Sequence, residues 1–222
     1  LSDAIVANFG ESKGLPLSKE YLRAFPRSYK EDVMPGSAVA DIERLEALSD
    51  DNKLGMLFYR PQELGSDSKS VRLKLYHRDE PIHLSDVMPM LENLGLRVIG
   101  ESPYEVRKAN GQVYWILDFS MLHKSEKTVD LREARDRFQQ AFAAIWAGEL
   151  ESDGFNRLVL GASLTGREIS ILRAYARYMR QVGFPFSQQY IEETLSHYPE
   201  LAKGLVELFA KRFDPKFKGS QK

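Results

Sequence analysis

Two hydrophobic rhythms divide the chain. Between residues 54 and 119, apolar side chains form short blocks or alternate with polar ones. After residue 127 they recur at helical spacing. Residues 54–60 (LGMLFYR) read as a buried strand. In 71–77 (VRLKLYH), Val71, Leu73 and Leu75 alternate with Arg72 and Lys74, the period of a strand with one face on a core and one in water. Residues 97–107 form a third strand, interrupted by Gly100 and Pro103. Residues 112–119 (QVYWILDF) form a fourth, with Val113, Trp115, Leu117 and Phe119 on one face. Asn110-Gly111 between the last two is a hairpin turn signal.

Helices punctuate these strands. Ser37 opens one that runs to about Leu48 through Ala38, Ile42 and Leu45. Ser85 caps another that buries Met88, Leu91 and Leu94 and stops at Gly95. Further upstream, Ser18 caps a short helix carrying Tyr21, Leu22 and Phe25, with Pro26 disturbing its middle. Residues 1–17 have weak patterning and two glycines, Gly10 and Gly14, and are expected to be loose.

The order is helix, strand, strand, helix, strand, strand. Moving the last strand to the front turns this αββαββ order into βαββαβ, the ferredoxin-like arrangement. The expected sheet order is therefore 97–107, 112–119, 71–77, 54–60, antiparallel throughout. The fold class is α+β: a permuted ferredoxin-like unit followed by an all-α subdomain.

That subdomain reads as a run of capped helices. Asp130 with Glu133 starts the first, which carries Phe138, Phe142 and Ile145 and stops at Gly148. A second runs from about Gly154 to Gly161. Thr165 with Glu168 forms a capping box for a third, which buries Ile169, Leu172, Ala176 and Met179. Ser187 caps a fourth, with Ile191 and Leu195 inward. Pro199 opens a fifth, which carries Leu201, Leu205, Leu208 and Phe209. The expected division is a loose segment over 1–17, an α+β domain over 18–125, a helical subdomain over 126–215 and a tail over 216–222.

Composition narrows the classes. The 222 residues are 43% hydrophobic and 28% charged, too apolar and too balanced for a disordered chain. The net charge of −1 gives no electrostatic reason to expect nucleic acid or an anionic membrane as partner. No apolar run is long enough to span a bilayer. The absence of cysteine excludes disulfides and thiolate metal sites and is compatible with a cytoplasmic setting. The chain begins at Leu1 rather than at a methionine, so it reads as a piece of something longer.

Candidate chemistry is sparse. Gly161 and Gly166 have the separation of a phosphate-binding loop, but Arg167 and Glu168 stand where its Lys and Ser/Thr belong, and a capped turn is the better reading. His77 and His83 lie near Asp79 and Glu80 without metal-ligand spacing; His123 and His197 stand apart. Asp118 in its apolar strand is either buried with a raised pKa or, preferably, exposed or paired. The basic and aromatic stretch Tyr175–Gln181 (YARYMRQ) reads as a solvated face over packed aromatics rather than a nucleic-acid contact. No nucleophile elbow or dinucleotide fingerprint is present. No catalytic, cofactor-binding or metal residue is assigned.

Several stretches carry a resemblance. YKEDVMPGSAVADIERLEAL (29–48), GMLFYRP (55–61), LSDVMPMLENLGLRVIGESPYEV (84–106) and DFSM (118–121) are similar to the large bacterial NAD-specific glutamate dehydrogenases. So are the long stretch 138–181 and FAKRFDP (209–215). The resemblance spans nearly all of 18–215. It implies the third ACT-like domain of that family and the helical motif after it, lying before the catalytic domain, with further ACT-like domains upstream. For the full protein it implies oxidative deamination of L-glutamate to 2-oxoglutarate and ammonia, with NAD as hydride acceptor, in a homo-oligomer. The family's substrate-binding lysine motif is not found here, so this piece is expected to be inactive. Two roles follow from the resemblance: a structural segment packing against other domains of the same chain, which is preferred, or an amino-acid-sensing domain. A free-standing interaction module is the reading without the resemblance.

Overall fold

The computed structural model describes residues 1–61, 69–124 and 130–216. The polar loop expected over 65–70 lies largely outside the described residues, as does the tail beyond residue 216. The chain forms two compact units. One comprises residues 1–61, 70–87 and 98–121; the other includes residues 88–97 and the chain from 122 onward.

The first unit begins with helices where a loose segment is expected. α1 spans Ser2–Phe9 and α2 spans Glu11–Tyr21. The two glycines that suggest looseness are what allow the pair to pack. Gly10 turns the chain with φ +75°, a conformation that favours glycine. Gly14 lies where α1 crosses α2, and a Cβ there would come within 2.6 Å of the Val6 Cα. Ile5 and Tyr21 are buried in consequence. Ser18 is thus inside α2 rather than capping a helix. Pro26 does not interrupt a helix either; it is the N-cap of α3 (Arg27–Asp32). α4 spans Pro35–Glu46 and starts two residues before Ser37, because the fixed φ of Pro35 suits the first helical position.

Four strands follow: β1 (Leu54–Tyr59), β2 (Ser70–Arg78), β3 (Leu96–Arg107) and β4 (Val113–His123). α5 (Leu84–Asn93) lies between β2 and β3. The sheet is antiparallel, in the order β1-β2-β4-β3, as the permuted ferredoxin-like reading expects. Register is set by Leu54 opposite His77 through Tyr59 opposite Arg72. The β3–β4 turn uses Gly111 at φ +89°, and the Asn110 side chain accepts a hydrogen bond from the Gln112 N–H. α5 begins at Leu84 and buries Val87, Met90 and Leu91, with Leu94 buried just past its end; Met88 is only half-buried.

One expectation about the sheet fails. Lys74 does not face water: it is buried on the face that α4 covers. Alternation identifies two faces but cannot say that both are wet or dry. Here Ala38, Val39, Ile42 and Leu45 of α4 close over Tyr76, Tyr104, Val106, Tyr114 and Ile116. β4, a central strand, is buried at every position from Ile116 to Phe119.

The second unit is helical after residue 130. α6 spans Leu131–Trp146, with Asp130 capping the Arg132 N–H, and buries Phe138, Phe142 and Ile145. A 3₁₀ turn (Gly154–Arg157) leads into α7 (Leu158–Gly161). α8 spans Gly166–Gln181, α9 spans Gln188–His197 and α10 spans Pro199–Phe213. The Thr165/Glu168 capping box, the Ser187 cap and Pro199 at the first turn of α10 all form as the pattern predicts. α10 differs in what it buries: Ala202 and Val206 face inward, while Leu201, Leu205 and Leu208 stay exposed. No described helix is long and apolar enough to cross a membrane.

Candidate functional site

The first unit gathers its charges beneath α4. Asp41 of α4, 1% exposed, accepts hydrogen bonds from Tyr29 Oη at 2.6 Å, Lys74 Nζ at 2.6 Å and Tyr76 Oη at 2.8 Å. Burial and the adjacent Asp41 carboxylate push both phenols well above their ordinary pKa. The phenols are therefore held as neutral donors, and Lys74 supplies the counter-charge. Every partner is enclosed, so the cluster orients α4 against the sheet instead of presenting a reactive group.

Two further charge clusters extend this pattern. Lys108 Nζ lies 2.6 Å from Glu20 and 2.8 Å from Glu46, and Tyr21 Oη donates to Glu46 at 2.6 Å. Burial pulls the Lys108 pKa down, but hydrogen bonds to Glu20 and Glu46 outweigh it, and the net shift is upward. Arg72 meets Asp118 through two contacts of 3.0 Å. Asp118 is both paired and 3% exposed; burial raises its pKa and Arg72 only partly offsets the rise. Sequence reasoning sets a buried Asp118 against a paired one, and the structure combines the two. Tyr104, pushed up to about 12 by burial and its bond to Asp32, ties β3 to the end of α3.

In the second unit the corresponding feature is Arg173, 3% exposed on α8. Its guanidinium grips Asp153 in two bonds of 2.6 and 2.8 Å and reaches Asn156 Oδ1 at 2.9 Å. It also lies over the Phe155 ring at 5.9 Å. Arg177 pairs with Glu151 beside it. This clasp fixes the turn before α7 onto α8.

Thr165 N–H and Oγ1 both donate to Glu168, at 2.7 and 2.8 Å, so these two donors are satisfied within the turn itself. The Gly161–Glu168 stretch contains a capped helix start, as expected. His77 Nδ1 lies 2.8 Å from the Glu80 carbonyl. No group of three or more metal-ligating side chains occurs among the described residues. The Tyr175–Gln181 stretch differs from expectation. Its tyrosines are not packed beneath basic side chains: Tyr175 and Tyr178 are exposed, with Tyr175 edge-on to Phe209 at 6.0 Å.

Asp41 and Arg173 escape the sequence analysis, although each leaves a signal. Asp41 falls on the same helical arc as Ala38, Ile42 and Leu45, and Arg173 on that of Ile169, Leu172 and Ala176. A lone charge on an apolar stripe marks a buried ion pair.

The fold and these internal networks define an ACT-like α+β domain joined to helical motifs. Residues 53–134 match the family profile for the glutamate dehydrogenase ACT3 domain. Residues 4–48 match glutamate dehydrogenase helical motif 2, and residues 150–215 match helical motif 3. The chain is 47% identical over 215 residues to an NAD-specific glutamate dehydrogenase of Halomonas elongata, covering 97% of this chain and 13% of that protein. It is 43% identical to the protein of that name from Pseudomonas aeruginosa, over 96% of this chain and 13% of the relative. It is 35% identical to the one from Mycobacterium tuberculosis, over 94% and 13%. Three successive segments of the chain thus match glutamate dehydrogenase profiles, and over nearly its whole length the chain is similar to NAD-specific glutamate dehydrogenases. It spans about an eighth of the length of these relatives.

Proposed function

We propose that this chain is a non-catalytic connecting segment of an NAD-dependent glutamate dehydrogenase. The whole polypeptide would convert L-glutamate to 2-oxoglutarate and ammonia, passing hydride to NAD at residues outside these 222. The carrying observation is the match of three consecutive segments, in order, to helical motif 2, ACT3 and helical motif 3 of glutamate dehydrogenase. In this reading, residues 18–125 work as the ACT-like unit and 126–215 as the helical one. α4, although within the helical motif 2 match, supplies the first helix of the ferredoxin-like order, a role supported by the bonds of Asp41 to Lys74 and Tyr76. The partners are other domains of the same polypeptide, in a cytoplasmic homo-oligomer. A structural role is favoured because the charges inside the ACT-like unit are spent on one another.

The test measures NADH formation from glutamate and NAD by the natural polypeptide carrying this segment and by the 222 residues alone. Activity in the first and none in the second is expected; activity in the 222 residues, or its absence from the longer polypeptide, would refute the reading. The ACT3 match favours one second reading, amino-acid sensing. Calorimetry against arginine, aspartate and glutamate decides between the two, since saturable binding would replace the structural role with a sensory one.

A further inference from the structure

The helical unit leaves two hydrophobic stripes bare. On α8 and its C-cap, Ile171, Tyr175, Tyr178 and Val182 recur at i, i+4, i+7 and i+11, away from the buried arc of Ile169, Leu172 and Ala176. On α10, Leu201, Leu205 and Leu208 recur at i, i+4 and i+7, beside the buried arc of Ala202 and Val206. Tyr175 and Tyr178 are 46% and 61% exposed, and Leu205 and Leu208 are 41% and 62%. α8 and α10 meet where Tyr175 contacts Phe209. There a groove of about 490 Å³ is walled by Ile171, Ala174, Tyr175, Tyr178 and Phe209, with Arg167 in its lining.

Scattered surface leucines need no explanation, but paired stripes at helical spacing do. A helix that turns one apolar arc inward and a second outward has two packing partners, and only one is inside this unit. Two adjacent stripes form the ridges that seat a third helix, read by anchors at i, i+3 or i+4 and i+7.

We propose that the α8/α10 face seats an amphipathic helix from elsewhere in the same polypeptide. This deepens the reading above and rests on it. The length of the relatives carries the choice of occupant. About seven-eighths of such a polypeptide lies outside these residues. A tethered segment competes at an effective concentration up to the millimolar range, above that of a second copy free in solution. The occupant presents leucine, isoleucine or aromatic side chains on one face. Exposed Arg167 at the groove favours a carboxylate on the helix that fills it.

The test is hydroxyl-radical footprinting of the natural full-length polypeptide, native against urea-unfolded, read at Tyr175, Tyr178, Leu205 and Leu208. If the face is bare, exposures of 41–62% allow only about a twofold drop in labelling on folding. A seated helix lowers labelling by about tenfold or more, with the protection unchanged on serial dilution to the point where light scattering shows single polypeptides. Labelling within twofold of the unfolded chain overturns the proposal. Protection that disappears on dilution also overturns it, by assigning the face to a second copy. The readout does not depend on activity. A polypeptide that fails to oxidise glutamate therefore refutes the functional reading while leaving the footprint to be judged alone.

Discussion

The carboxylate of Asp41 on α4 lies 2.6 Å from the ammonium of Lys74 on β2, and both side chains are at most 4% exposed. A buried pair of this kind costs desolvation as well as gaining attraction, and its removal is asymmetric. Taking away one partner leaves an uncompensated charge in the core, at a cost of about 3–5 kcal/mol. Lys74→Met is expected to fall in that range, because Tyr29 and Tyr76 still solvate Asp41. Asp41→Ala should be worse, since it strands three donors. Urea denaturation of the two variants gives the comparison; equal, sub-kilocalorie losses would show that the pair is not enclosed as described.

The phenols around these carboxylates make a pH prediction. Tyr21, Tyr29 and Tyr76 are raised by burial and by their acidic partners, above the ordinary value of 10. The folded state therefore keeps its phenol protons to higher pH than the unfolded state does. Their contribution is full below pH 10 and is lost as pH rises beyond it, because only the unfolded chain ionises easily there. Lys108, also raised, acts in the same direction. The share of phenolate absorbance lost in a Tyr21→Phe/Tyr29→Phe/Tyr76→Phe variant should rise together with loss of circular dichroism, and the fall in stability should be shallower in Tyr29→Phe/Tyr76→Phe. Free titration of all tyrosines in the folded chain near pH 10 would contradict this.

Arg173 and Thr165 stabilise the same helix by different means. Arg173→Leu leaves Asp153 without its bidentate partner and is expected to cost about 3–5 kcal/mol. Arg173→Lys should recover only part of that, because an ammonium cannot make the paired bonds. Thr165→Ala removes a cap and should cost about 1 kcal/mol. Amide exchange across α8 resolves the two effects: the first loosens the Asp153 turn, the second the start of α8.

Two glycines should respond in opposite senses to alanine. Gly14→Ala drives a Cβ to within 2.6 Å of the Val6 backbone, so α1 must separate from α2 and melting should fall. Gly204→Ala in α10 meets nothing within 4 Å and should gain about 0.5–1 kcal/mol from helix propensity. Thermal melts of both variants check the contrast.

Local chemistry was legible from the residues alone. The Thr165/Glu168 box, the Ser187 cap, Pro199 at a first turn and the Asn110-Gly111 hairpin depend on neighbours within four positions, so the sequence states them directly. Strand order was also accessible, because one hairpin and one permutation leave few antiparallel arrangements. What each element faces was not. The helix spacing of Leu201, Leu205 and Leu208 is the same whether the stripe is buried or bare, and the tertiary structure turned Ala202 and Val206 inward instead. The period of β2 is the same whether Lys74 meets water or Asp41. Gly10 and Gly14 read as slack, yet Gly10 turns the chain at φ +75° and Gly14 leaves the room in which α1 crosses α2. Periodicity records that an element has two sides; only the partner brought from far along the chain determines which side is dry, and whether a charge there is paired.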